Sequence, residues 1–119
     1  MFEFISEELS KWFSAKNKAI VDICAVALPT GWTDAENFDF YPLVSASLPS
    51  IKKNNYMREI FQEYLYIISH KQVDFILKRT IEYSIINWLH FHNYIDLVKT
   101  KHGLVFKINS GLLPGNTDK

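Results

Sequence analysis

The sequence predicts a mainly α-helical domain that closes on a C-terminal β-hairpin, and three observations carry that expectation. Apolar residues recur at i, i+3 and i+4 over 55–69 and again over 72–91, the spacing of helices with one buried face. After Asn93 the apolar period falls from 3.6 to 2, the signature of half-buried strands. The chain has 119 residues, 48% apolar and 22% charged, which is the size and composition of a single globular unit spanning 1–119, with 110–119 expected to fray.

Each element follows in order. Ser6 before Glu7 and Glu8 reads as an N-cap with acids in the first turn, so a short helix over 7–14 is expected, with Phe4, Leu9, Trp12 and Phe13 as its apolar surface. Asn17 offers a second cap, and Ile20, Ile23, Cys24, Ala27 and Leu28 keep helical spacing over 18–28 until Pro29 and Gly31 stop it. Thr33 and Glu36 have capping-box spacing, predicting one helical turn. The stretch 37–50, with Pro42, Pro49 and three serines, reads as an ordered loop tied down by Phe38, Phe40, Tyr41 and Leu43. In the helix over 55–69, Met57, Ile60, Phe61, Tyr64, Leu65 and Ile68 form the apolar face. The next helix, 72–91, is expected to bury Ile76, Leu77, Ile81, Ile85, Trp88 and Leu89 and to wet Lys78, Arg79, Glu82, Asn87 and His90. A hairpin over 95–108 should place Leu97, Leu104, Phe106 and Ile108 against that helix, with Gly103 supplying a positive φ at the turn.

Composition excludes several classes. Thirteen basic and thirteen acidic residues cancel, so a histone-like polycation is ruled out. One cysteine makes no internal disulfide, and no apolar run reaches the length of a membrane span, so no membrane contact is expected. The residues after Met1 lack a basic stretch followed by a long apolar core; no secretory signal is predicted, and a cytoplasmic location is expected. The neutral total hides an asymmetry. Up to Ser50 there are seven acids against three lysines, whereas 51–119 carries ten basic residues against six acids, and all four histidines.

The run from the helix at Trp88-Leu89, through Asn93-Tyr94-Ile95, into a hairpin closed by Lys101-His102-Gly103 and returning as Leu104-Val105-Phe106-Lys107-Ile108, resembles the end of a winged-helix domain. The resemblance covers about residues 55–108 and lies in pattern, not in a diagnostic motif. It implies a recognition helix, a short corner and a wing. It also implies one of two roles, DNA reading or the docking of other proteins, between which fold does not choose.

Catalytic chemistry finds little support. No nucleophile elbow, phosphate loop, dinucleotide glycine pattern, zinc-protease motif or paired cysteines occur, so no enzyme activity, cofactor or small-molecule substrate is expected. His90, His92, His102 and Asp96 have metal-ligand chemistry, yet two histidines one residue apart diverge on a helix, and no metal is predicted. Cys24 reads as an inert core thiol.

The expected function is therefore a non-catalytic protein-interaction module, a small subunit or adaptor of a larger bacterial or phage assembly. Its partner would be another subunit or a second copy. Eighteen aromatic residues exceed what a small core holds, and Trp32, Phe38, Phe40, Tyr41, Tyr66 and Tyr83 are the candidate docking residues. The alternative is a winged-helix DNA-binding protein making weak contact through Lys78, Arg79, Lys99, Lys101 and Lys107. A further alternative is a small inhibitor or immunity protein acting through the acidic first half.

Overall fold

A computed structural model describes residues 18–51, 55–70 and 73–113. The predicted helix over 7–14, the cap at Asn17 and the tail beyond Leu113 lie outside the described residues. The chain is mostly helical, with a small three-stranded antiparallel sheet near the C-terminus. Helix α1 spans Lys18–Ala27, strand β1 Thr33–Asp34, α2 Tyr41–Ser47, α3 Asn55–Ser69 and α4 Phe75–Phe91. Strands β2, Ile95–Thr100, and β3, Gly103–Ile108, form the predicted hairpin.

The helices pack in chain order, α1 on α2, α2 on α3 and α3 on α4, and α4 then packs against β2. Ile20, Cys24, Leu43, Val44, Phe61, Tyr64, Ile85 and Leu89 are buried between them. The hairpin register pairs Ile95 with Ile108 and Leu97 with Phe106. Opposed residues share a face, so Ile95, Phe106 and Ile108 are buried together while Leu97 and Leu104 pack against the same core. Gly103 takes φ 125° at the turn, as the sequence requires. Asn93, at φ 61°, ends α4 in the left-handed region, and the Tyr94 amide donates back to the Leu89 carbonyl at 2.8 Å.

Three local expectations are corrected. The expected single turn stands at Ala35–Asn37, but Thr33 and Asp34 ahead of it pair with Phe106 and Val105 as a third, unexpected strand, in the order β1-β3-β2. Asp34, not Thr33, caps the turn at Ala35–Asn37 by accepting the Glu36 amide at 3.1 Å, and the Thr33 hydroxyl donates to the Gly31 carbonyl. Second, 37–50 is not a loop. Pro42 and Pro49 occupy the first turns of α2 and of the 3-10 turn Leu48–Ser50, where a missing N–H costs nothing, so both prolines begin helices that they were expected to exclude. Third, the predicted 72–91 helix starts at Phe75, because the Asp74 side chain accepts the amides of Ile76 and Leu77 and fixes the N-cap there.

The larger correction concerns which way α4 faces. Its buried residues are Ile81, Glu82, Ile85, Ile86 and Leu89, while Ile76 and Leu77 are exposed. At 3.6 residues per turn, this is about a quarter-turn from the expected burial. Lys78, Arg79 and Glu82, expected to be wet, have turned inward, whereas Asn87 and His90 are exposed as expected.

Candidate interaction surface

The inward charges of α4 form one cluster. Glu82 is 2% exposed, and its Oε1 accepts from Arg79 Nη1 at 3.1 Å while its Oε2 accepts from the Tyr64 hydroxyl of α3 at 3.1 Å. Lys78 Nζ stands 4.0 Å from Oε2. Arg79 reaches further, to the Glu36 carbonyl at 3.4 Å and the Tyr83 hydroxyl at 3.2 Å, with its guanidinium 5.0 Å from the Tyr83 ring centroid. A buried carboxylate is tolerated only with such partners. Burial, then the charge of Glu82 and the hydrogen bond to it, hold the Tyr64 phenol well above its ordinary range. Burial alone would lower Arg79; its interactions with Tyr83 and Glu82 outweigh that and raise it. A polar pocket of about 400 Å³ opens beside the cluster, lined among others by Asp39, Phe38 and Phe75.

The outward side of α4 is the complement of this. Ile76, Leu77, Thr80, Tyr83, Asn87, His90 and Phe91 are exposed and Ser84 is half-buried, and the row contains no Asp, Glu, Lys or Arg. Ile76 is 77% exposed and Phe91 80%. The Thr80 hydroxyl donates to the Ile76 carbonyl at 2.9 Å and the Ser84 hydroxyl to the Thr80 carbonyl at 3.3 Å, so both already have acceptors within the helix. Beside the row, Tyr56 of α3 joins Ser84, Asn87, Trp88, Phe91 and His92 around a groove of about 440 Å³. Trp88 Nε1 is buried with no hydrogen-bond partner among the described residues.

The sequence-predicted docking residues divide. Trp32, Tyr41, Tyr66 and Tyr83 are exposed. Phe40 is 0% exposed and cannot anchor a partner, and Phe38 is half-buried. Both rings instead pack on Phe106, at centroid distances of 5.8 and 5.1 Å, because the 3-10 turn Ala35–Asn37 folds against β3 and turns them onto the sheet. Trp32 lies beside β3, its ring centroid 5.3 Å from Lys107 Nζ. Tyr66 on α3 has its ring centroid 3.9 Å from that of His70, the two planes tilted by 35°. These four predicted aromatics are thus dispersed, and of them Tyr83 alone belongs to the uncharged row. Ile76, Phe91 and Tyr56 were missed; the signal was the crowding of Lys78, Arg79 and Glu82 onto the same side of the wheel as Ile85, Ile86 and Leu89.

The candidate cations divide too. Lys78 and Arg79 are engaged by Glu82, and Lys107 pairs with Asp96 at 3.6 Å. Lys99 and Lys101 are exposed near the hairpin tip. In the acidic first half, Asp34 and Asp39 are occupied in accepting the amides of Glu36 and Tyr41, and Asp22 pairs with Lys18. No group of three or more His, Cys, Asp or Glu that could hold a metal occurs among the described residues, and Cys24 is buried. No described helix is long and apolar enough to cross a membrane. No family model, curated protein or solved structure matches this chain.

Proposed function

We propose that the protein is a non-catalytic interaction module, a small subunit or adaptor, and that it docks another polypeptide on the outer face of α4. The observation that supports this is the distribution of charge on that helix. In a chain with 22% charged residues, α4 turns Lys78, Arg79 and Glu82 inward and offers a row of four turns with no formal charge. Solvated helix faces are ordinarily charged, whereas the centres of interfaces are depleted in charge and rich in aromatic and aliphatic anchors. Ile76 and Phe91 at the ends and Tyr83 between them supply such anchors.

The test is site-specific photo-crosslinking in the native host. A crosslinker in place of Ile76 or Phe91 is expected to trap a polypeptide, and one at Lys99 to trap far less. Adducts confined to the hairpin tip and made with nucleic acid would reverse the assignment.

Winged-helix DNA binding is the second possibility, supported by the exposed Lys99, Lys101 and His102 at the hairpin tip. It loses Lys78 and Arg79 to Glu82, and the face of α4 that a duplex would meet has only His90 as a cation-capable group.

A further inference from the structure

Helix α1 is apolar on more sides than α2 covers. After Lys18 its one polar residue is Asp22, and a helix apolar nearly all round belongs in an enclosed place. Ile20 and Cys24 are buried, yet Val26 is 88% exposed. Val26, Ile23 and Ala27 join Pro42 and Ala46 of α2 around a groove of about 530 Å³, in which Asp22 is the one charged residue among the described residues. Asp22 already pairs with Lys18 at 3.4 Å, so an occupant of this groove need bring apolar surface and no cation.

The chain itself carries such an occupant, in the 17 residues that run into Lys18. Leu9, Trp12 and Phe13 stand at i, i+3 and i+4, with Ile5 one turn ahead and Glu7 and Lys11 on the opposite side of the wheel. A helix over 7–14, as the sequence predicts, leaves residues 15–17 before α1, and connections of about two to five residues join antiparallel helices. Folded back about position 16, with the same rise per residue on both helices, Leu9 comes level with Ile23 and Ile5 with Ala27, and Val26 lies between. Trp12 and Phe13 come level with Ile20 and Ala19, of which Ala19 is small and exposed and leaves room for a large ring. A segment tethered this closely reaches the groove at an effective concentration of order millimolar, which a separate partner must outbid by far tighter contacts.

We infer that the residues preceding Lys18 fold back antiparallel to α1 and fill the groove between α1 and α2, with Ile5 and Leu9 over Ile23, Val26 and Ala27. The groove is then closed from within the chain. This is independent of the role assigned to the outer face of α4, and its failure leaves that assignment untouched.

Two measurements on the full chain test it. With Ile5→Cys and Val26→Cys together, a short bismaleimide added at low protein concentration should link the two positions within one chain, whereas Glu7→Cys with Val26→Cys, on the far side of the same predicted helix, should link far less. Cys24 is buried and does not compete. The second measurement is a double-mutant cycle on thermal stability. Leu9→Ser and Val26→Ser should each lower the melting temperature by roughly 3–6 °C, and the two together should lower it by clearly less than the sum, because either change alone already spoils the shared contact. Val26→Ser is the decisive single change: at a residue 88% exposed and covered by nothing, it should have almost no effect. Linkage only between two chains would give the groove to the segment of a second copy and overturn closure within the chain. Equal linkage from positions 5 and 7 would overturn the helical face assigned to the segment. No linkage, with Val26→Ser neutral and the two changes additive, would overturn the inference altogether.

Discussion

The Tyr64 hydroxyl of α3 donates to Glu82 Oε2 of α4 at 3.1 Å, 18 residues away in sequence, and both residues are buried. With Arg79 on the other carboxylate oxygen and on the Glu36 carbonyl, this bond keys two helices and the Ala35–Asn37 turn to one rotation of α4. The uncharged face points outward because the charged one is held inward.

Tyr64→Phe keeps the ring and deletes the bond to a buried carboxylate, so it should cost about 1.5–3 kcal/mol. Glu82→Leu removes the buried charge and frees Lys78 and Arg79, and it should cost less than the sum of Tyr64→Phe and Arg79→Leu, because the three act as one network. Urea denaturation of the single and double variants measures both. A Tyr64→Phe variant as stable as the parent would show that Arg79 alone orients α4.

Alkaline pH should destabilise the fold. The Tyr64 phenol lies above its ordinary value of 10.0 in the folded chain, chiefly by burial and then through Glu82, and Tyr94 is raised in the same direction by burial. The folded state therefore holds these protons when the unfolded chain has released them. Their contribution is intact below pH 10 and is lost as pH rises beyond it towards the folded values. Denaturation midpoints between pH 8 and 11 should fall, and the fall should be shallower in Tyr64→Phe.

Phe40→Ala should cost about 3–5 kcal/mol, since the ring is wholly buried against Phe38 and Phe106. Tyr41→Ala, at an exposed neighbour, should change stability by less than about 1 kcal/mol. Thermal melts compare the two directly. Equal losses would mean that Tyr41 also covers the core.

Binding of duplex DNA, if measured, should be weak and carried by Lys99 and Lys101. With about two phosphate contacts, the log–log dependence of affinity on salt should have a slope near −2. Lys99→Ala with Lys101→Ala should abolish it, and Lys78→Ala should leave it unchanged. Nanomolar affinity persisting at roughly 200 mM salt would favour the DNA-binding alternative.

Elements whose signal is local were legible in the order of the residues. The period over 55–69, the shift to alternation after Asn93 and the glycine at 103 each act within a few residues, and α3 and the hairpin stand where these place them. That order also placed Phe106 and Ile108 on the inner side of the sheet. What it did not determine was anything settled by a distant partner. Pro42 begins a helix because the chain around it packs as one, and β1 exists only because β3 is there to pair with it. The rotation of α4 is the clearest case. Apolar spacing alone turns Ile76 and Leu77 inward, but Glu82 can be buried where Tyr64 and Arg79 meet it, and that meeting is a tertiary fact. Once the carboxylate is satisfied inside, the remaining side of the helix is left uncharged and facing out.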